Sequence, residues 1–154
     1  MAQKKNDILP TYGFALLNDR HLLFLSAWIG AVTHPQWWNS PWTKTWMMEV
    51  NGQPAFCVSF YTYDDRDRSP ENNRLSLVAA PSVQRSGVKL MRAWQAAAIH
   101  IFQQEEPDFL TAEVPAAEIA EREAIQRIGF REGGGDRGIS MLYICNRGEL
   151  TPVF

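Results

Sequence analysis

The sequence predicts a mixed α/β (α+β) fold, and three observations carry that expectation. Residues 74–105, RLSLVAAPSVQRSGVKLMRAWQAAAIHIFQQE, run from an apolar strand pattern through a turn ending at Gly87 into a long stretch with helical periodicity. An Asn51-Gly52 step separates two runs of alternating apolar residues, the pattern of a strand hairpin. A second helical pattern closing on Gly129 leads into two strand patterns that flank GGGDRG.

Size and composition narrow the function classes. A chain of 154 residues is expected to form a single domain, residues 1–154, around one core. With 45% hydrophobic and 21% charged residues it has the balance of a soluble globular protein. A net charge of -2 argues against a general nucleic-acid surface, so no nucleic acid is expected as partner. The longest apolar run, near residues 22–32, is too short to span a membrane, and no membrane partner is expected. The N-terminus has no apolar signal region, and Cys57 and Cys145 read as two reduced core thiols. Both features point to a cytoplasmic protein.

Residues 1–10 are polar and end at Pro10, so a loose terminus is expected. TYGFALLN then reads as a strand. Asn18 or Asp19 is placed to cap a helical pattern over 19–33, where Leu22, Leu25, Trp28, Ile29 and Val32 recur. WMMEVNGQPAFCVSFYTY makes the hairpin, with Gln53 and Pro54 suggesting a loop longer than Asn51-Gly52. Phe56, Val58 and Phe60 form its more apolar face. A charged loop, DDRDRSPENN, precedes the strand Leu75–Ala80. The helix after Gly87 presents Val88, Met91, Trp94, Ala98, Ile101 and Phe102 on one face and Lys89, Arg92, His100 and Gln103 on the other. FLTAEV is the next strand, and strand–helix–strand at this spacing favours a parallel pair with a right-handed crossover. In AAEIAEREAIQRI, Ala117, Ala120, Ala124 and Ile128 make the apolar stripe.

A glycine turn opening a helix beyond a strand exposes unpaired N–H groups at the positive end of a helix dipole, which suits a phosphate. The same unit occurs throughout α/β proteins as plain architecture, and these residues alone leave both readings open. Two motifs set in this element order sharpen the choice. The turn Gln84-Arg85-Ser86-Gly87-Val88-Lys89 matches the pattern Q/R-x-x-G-x-G/A except at its last position. LTAEVPAAEIAEREAIQRIGFRE supplies a later strand–helix–Gly-Phe block ending at Gly129-Phe130. Together they resemble the GNAT family of N-acetyltransferases over most of the chain.

That resemblance implies a mostly antiparallel central sheet with one splayed parallel strand pair, flanked by helices. It implies acetyl-CoA, or a related acyl-CoA, as co-substrate held between the splayed strands. The pantetheine arm would pair with backbone of Leu77, Val78, Ala79 and Ala80 like an added strand, and the pyrophosphate would rest on Gln84 to Lys89. Three positions depart from the family pattern. Lys89 replaces a second Gly or Ala, where its ammonium would help hold the pyrophosphate or its stem would crowd it. Ile125 stands where many members carry a proton-donating tyrosine. Glu118 stands near a frequent asparagine.

The implied activity is an N-acyltransferase in which an amine attacks the thioester directly, within a ternary complex. Such transfer needs a base for the ammonium proton, donors for the oxyanion and an acid for the thiolate. Glu113, a strand carboxylate on the second splayed strand, is the first candidate base, and Glu49 the second. Tyr143 and Tyr61 are candidates for the missing acid; the more ordinary reading of each is a core tyrosine with a satisfied hydroxyl. His21, His34 and His100 lack metal-ligand spacing, so no metal is expected, and His100 reads as solvated on its polar face.

The segment 34–42 places Trp37, Trp38 and Trp42 within six positions, opened by His34. As an acceptor site it would offer flat aromatic faces to a small-molecule or peptide amine. As architecture it would cover a sheet edge or a homo-oligomer interface. An alternative to the enzyme is therefore a non-catalytic protein of this fold that serves interaction or assembly, with Ile125, Lys89 and the tryptophan segment as its motivation.

Overall fold

A computed structural model of the chain describes residues 10–21, 42–63, 72–81, 83, 87–136 and 138–151. The strands are β1 (Tyr12–Leu16), β2 (Thr43–Val50), β3 (Gln53–Tyr61), β4 (Arg74–Ala79), β5 (Phe109–Pro115), β6 (Arg131–Asp136) and β7 (Ser140–Asn146). Among the described residues the helices are α1 (Gly87–Gln104) and α2 (Ile119–Arg127), with a 3-10 turn at Asp19–His21. The rest of the helical pattern expected over 19–33 lies outside the described residues. The strands form one sheet in the order β1-β2-β3-β4-β5-β7-β6. Every neighbouring pair is antiparallel except β4 with β5, which run parallel. This is the architecture the resemblance implies.

The hairpin turns on two residues. Asn51 and Gly52 both take positive φ, 52° and 81°, the left-handed pair whose twist matches that of the flanking strands. Gln53 and Pro54 belong to β3 rather than to a longer loop. A bulge absorbs the proline: Met48 faces Phe56, while Glu49 faces Pro54. Proline cannot donate to the ladder, and an irregular step is where a strand accepts it. β1 is latched to the same turn by mutual bonds, Thr11 N–H to Asn51 Oδ1 at 2.9 Å and Asn51 N–H to the Thr11 carbonyl at 2.8 Å.

Strand alternation divides the sheet into two faces. On one, Trp46, Met48, Phe56, Val58, Phe60, Leu75, Leu110, Ala112, Val114, Tyr143 and Cys145 pack in one core with both helices. α1 contributes Leu90, Met91, Ala93, Trp94, Ala97, Ala98 and Ile101, close to the expected stripe. In α2 the buried residues are Glu121, Ala124 and Ile125, followed by Ile128 beyond its end. Ala117 and Ala120 are exposed, contrary to expectation, because residues 116–118 form a turn and the helix begins only at Ile119. Glu121 is drawn inward by the Trp94 indole, whose N–H donates to Oε2 at 3.1 Å. The other face carries Leu17, Met47 and Cys57 with Val78 against them, together with a row of polar side chains.

Two local devices hold the later elements. Gly129 ends α2 at φ 116°, and a Cβ there would collide with the Glu149 carbonyl, so glycine is required. β6 continues through the glycines to Asp136 rather than stopping at Glu132. At Gly133 a Cβ would meet Ile144 Cγ2 at 2.7 Å, so the strand passes only without a side chain. Among the described residues no helix is long and apolar enough to cross a membrane.

Candidate functional site

The site begins where β4 and β5 part. Arg74 and Thr111 are their one paired position. It is pinned by the step before β4: Asn73 takes φ 54°, and its carbonyl accepts from Thr111 N–H at 2.9 Å. The buried Asn72 side chain accepts from Thr62 Oγ1 at 3.0 Å and from Tyr63 N–H at 2.8 Å. Thr111 Oγ1 in turn donates to the Asn72 carbonyl at 3.2 Å. Beyond this knot β4 pairs only with β3, and β5 only with β7. The two strands open like a V.

Backbone direction follows from the ladders. Ala80 N–H donates to the Ala55 carbonyl at 2.8 Å, so the even-numbered residues of β4 bond to β3. Leu77 and Ala79 therefore turn their N–H and C=O groups into the V, while Val78 and Ala80 turn theirs to β3. On β5 the even residues bond to β7, as Ala116 N–H does to the Ile139 carbonyl at 2.8 Å. Glu113 thus directs its backbone groups into the V from the opposite wall.

One charged contact spans the root of the opening. Arg74 Nη1 lies 3.1 Å from Glu113 Oε1, with the two side chains 27% and 31% exposed. Ser140 donates its hydroxyl to Glu113 Oε2 at 2.6 Å. Register places Tyr61 opposite Arg74 and Ser140 opposite Pro115, so all four side chains share the face turned away from α1 and α2. Tyr61 is exposed, and its ring lies 6.1 Å from that of Tyr63. Sequence reasoning singled out Glu113 and Tyr61 but passed over Arg74 and Ser140. Only cross-strand register brings those two to Glu113.

Tyr143 sits on the helix-side face, fully buried, and its hydroxyl accepts from Arg122 Nε at 3.0 Å. Arg122 Nη1 also donates to the Ala116 carbonyl at 3.0 Å, tying α2 to the end of β5. Ile125 is wholly buried in the core. Glu118 and Lys89 are both exposed, and the first turn of α1 contains no acidic residue. Glu49 lies at the hairpin end of β2, with β3 and β4 between it and the V. Trp42, just before β2, is 52% exposed, and its carbonyl accepts from Thr62 N–H at 2.9 Å. Gly87 and Val88 open α1. Gln84, Arg85, Ser86, His34, Trp37 and Trp38 lie outside the described residues.

Both cysteines and His100 are structural. Burial pushes the Cys57 thiol up to about 12 and the Cys145 thiol up to about 11, so both stay protonated and unreactive. His100 is not a solvated residue. It stacks on Phe14 at 4.0 Å and meets Trp46 edge-on at 4.9 Å, and burial lowers its pKa against the opposing pull of Glu105. Among the described residues no group of three or more His, Cys, Asp or Glu is placed to hold a metal.

This parted β4–β5 pair within a seven-stranded sheet is the fold of the GNAT acetyltransferases. No family model matches the chain, and no curated protein sequence does. Solved structures do. The N-acetyltransferase PseH of Campylobacter jejuni in complex with acetyl coenzyme A aligns with a TM-score of 0.70 at 12% identity, over 90% of this chain and 100% of that one. AAC(6')-Ib in complex with ribostamycin and coenzyme A aligns with a TM-score of 0.73 at 13% identity, over 89% and 94% of the two chains. A spermidine N-acetyltransferase SpeG chimera from Vibrio cholerae and hSSAT aligns with a TM-score of 0.69 at 12% identity, over 88% and 95%.

Proposed function

We propose that this protein is an acyl-CoA-dependent N-acyltransferase, with acetyl-CoA as the co-substrate and an amine as the acceptor. The observation that carries the reading is the V opened beyond Arg74 and Thr111, with backbone groups of Leu77 and Ala79 directed into it. An extended pantetheine arm has amide donors and acceptors that match such an edge. The start of α1 fits the pyrophosphate end, because its dipole is positive, its first turn lacks acid and the exposed Lys89 adds a cation. Gln84 to Lys89 would hold that group, with Gly87 permitting close approach of the backbone. Structures of this fold bearing acetyl coenzyme A and coenzyme A, PseH and AAC(6')-Ib among them, support the same reading.

In the proposed reaction Glu113 accepts a proton from the acceptor ammonium, directly or through water. The neutral nitrogen forms a C–N bond to the thioester carbonyl carbon as the C–S bond breaks. The products are an amide and CoA: the thiolate takes up one proton, and the nitrogen loses its second proton as the amide forms, to solvent or back to the group that protonated the thiolate. Tyr143 is the proposed source of the thiolate's proton, being the tyrosine on the helix-side face of β7 with a hydroxyl already held by Arg122. The exposed Trp42 belongs to the proposed acceptor side, along with His34, Trp37 and Trp38.

The test is twofold: titration of the protein with acetyl-CoA, and release of CoA thiol on adding amines. Micromolar-range binding with amine-dependent thiol release is the expected result. Binding without release for any amine favours a non-catalytic CoA-binding protein, a reading for which the buried Ile125 in the usual tyrosine position speaks. Absence of binding removes both and, with self-association of the chain, favours the interaction or assembly protein instead.

A further inference from the structure

The transfer reading leaves the acceptor open, and the face of the sheet turned away from the helices bears on it. Arg74 on β4 and Glu113 on β5 reach toward each other across the root of the V, 3.1 Å apart and both part-exposed. Ser140 holds the second oxygen of Glu113 from one side, and Tyr61 lies beside Arg74 on the other. Any acceptor amine meeting Glu113 therefore also meets the Arg74 guanidinium. A second ammonium on the acceptor would be repelled there, whereas a carboxylate would be received by a planar guanidinium fork. A part-exposed ion pair contributes little to stability, so exchanging its partners for those of a ligand costs little.

Resting on that reading, we infer that Arg74 and Glu113 form a two-charge acceptor site for an amine that carries its own carboxylate close by, as a free α-amino acid does. In such an acceptor the ammonium and carboxylate are two bonds apart, matching two opposite charges already in contact. The acceptor carboxylate takes the guanidinium from Glu113, and the ammonium takes its place beside the Glu113 oxygens. Arg74 is then the specificity-determining residue, and Glu113 keeps its role as proton acceptor. A polyamine fits this pair poorly, because its second charge has the sign of Arg74.

The experiment compares, on the full chain with saturating acetyl-CoA, a set of free amino acids, their carboxamides and spermidine. CoA release is measured together with the thermal midpoint in the presence of CoA and each amine. At least one free amino acid is expected to exceed its carboxamide by about tenfold or more in kcat/KM, with spermidine below both. Arg74→Gln should bring the acid-to-amide ratio near one, Arg74→Lys should restore part of it, and acetyl-CoA affinity should stay within about twofold.

Three results overturn the inference. One is wild-type preference for carboxamides or spermidine. Another is loss of acetyl-CoA binding in both Arg74 variants, which would make the pair a strut for the V. The last is that no amino acid at millimolar concentration is acetylated or raises the midpoint. Each can occur while wild-type acetyl-CoA binding and transfer to another amine stand, so failure here is distinguishable from failure of the transferase reading.

Discussion

The two faces of the sheet at the V are built from the same strands and differ in almost every property. On β5, Leu110, Ala112 and Val114 point into the core beneath the helices, while Thr111 and Glu113 between them point the other way, Thr111 to the Asn72 carbonyl and Glu113 to Arg74 and Ser140. The helix-side face is apolar and closed. The opposite face places a carboxylate, a guanidinium and hydroxyls where the strands separate. A strand with side chains alternating every residue can serve packing and chemistry at once, one residue apart. Stability should therefore reside mainly on the helix side and proton acceptance by Glu113 on the other, with the proposed donor Tyr143 the exception that crosses the division, and substitutions can test it.

The largest effect is expected from Glu113→Gln. Removing a proton acceptor should lower kcat by about a hundredfold or more, with acetyl-CoA affinity little changed. Equal turnover by this variant would remove Glu113 from the chemistry. Three residues back, Leu110→Ala should do the reverse. Deleting a fully buried leucine costs about 2–5 kcal/mol, to be read in denaturant unfolding. A smaller loss is expected from Glu121→Ala, which strips the Trp94 indole of its buried acceptor and should cost about 1–3 kcal/mol. Tyr143→Phe separates the two roles of that hydroxyl. As packing alone it should cost only about 0.5–1.5 kcal/mol, whereas as proton donor it should also reduce kcat by at least about tenfold.

The smallest effect is a pH dependence. The folded-state pKa of His100 is lowered by burial against Phe14 and Trp46, so below its ordinary value of 6.5 the unfolded chain takes up a proton that the folded chain resists. Stability contributed this way is present above that value and is lost as pH falls below it. The thermal midpoint should drop on going from pH 7 to pH 5, and less steeply in His100→Phe. An unchanged slope in the variant would show that His100 is not the group responsible.

Much of the architecture could be read in advance, since each strand and both later helices follow from local periodicity and punctuation. Asn51-Gly52 marks its turn and Gly129 its helix end for stereochemical reasons that a sequence displays directly. Long-range pairing is different. That β4 and β5 touch at Arg74 and Thr111 alone depends on how two strands sit over one core, which no local pattern encodes. The Arg74–Glu113 contact inherits that dependence, joining residues almost forty positions apart that carry no motif of their own. His100 departs from expectation for a related reason: it stands on the polar side of α1, but at its position Phe14 of β1 and Trp46 of β2 close over the ring.

The most direct test is the thermal midpoint of the full chain with and without millimolar acetyl-CoA. A co-substrate held in the V at about one-hundredth of that concentration should stabilise the folded state by about 2.7 kcal/mol. For a domain of this size that is a rise of roughly 5–10 °C. A midpoint that does not move would contradict the assignment of the V as an acyl-CoA site, and with it the transferase.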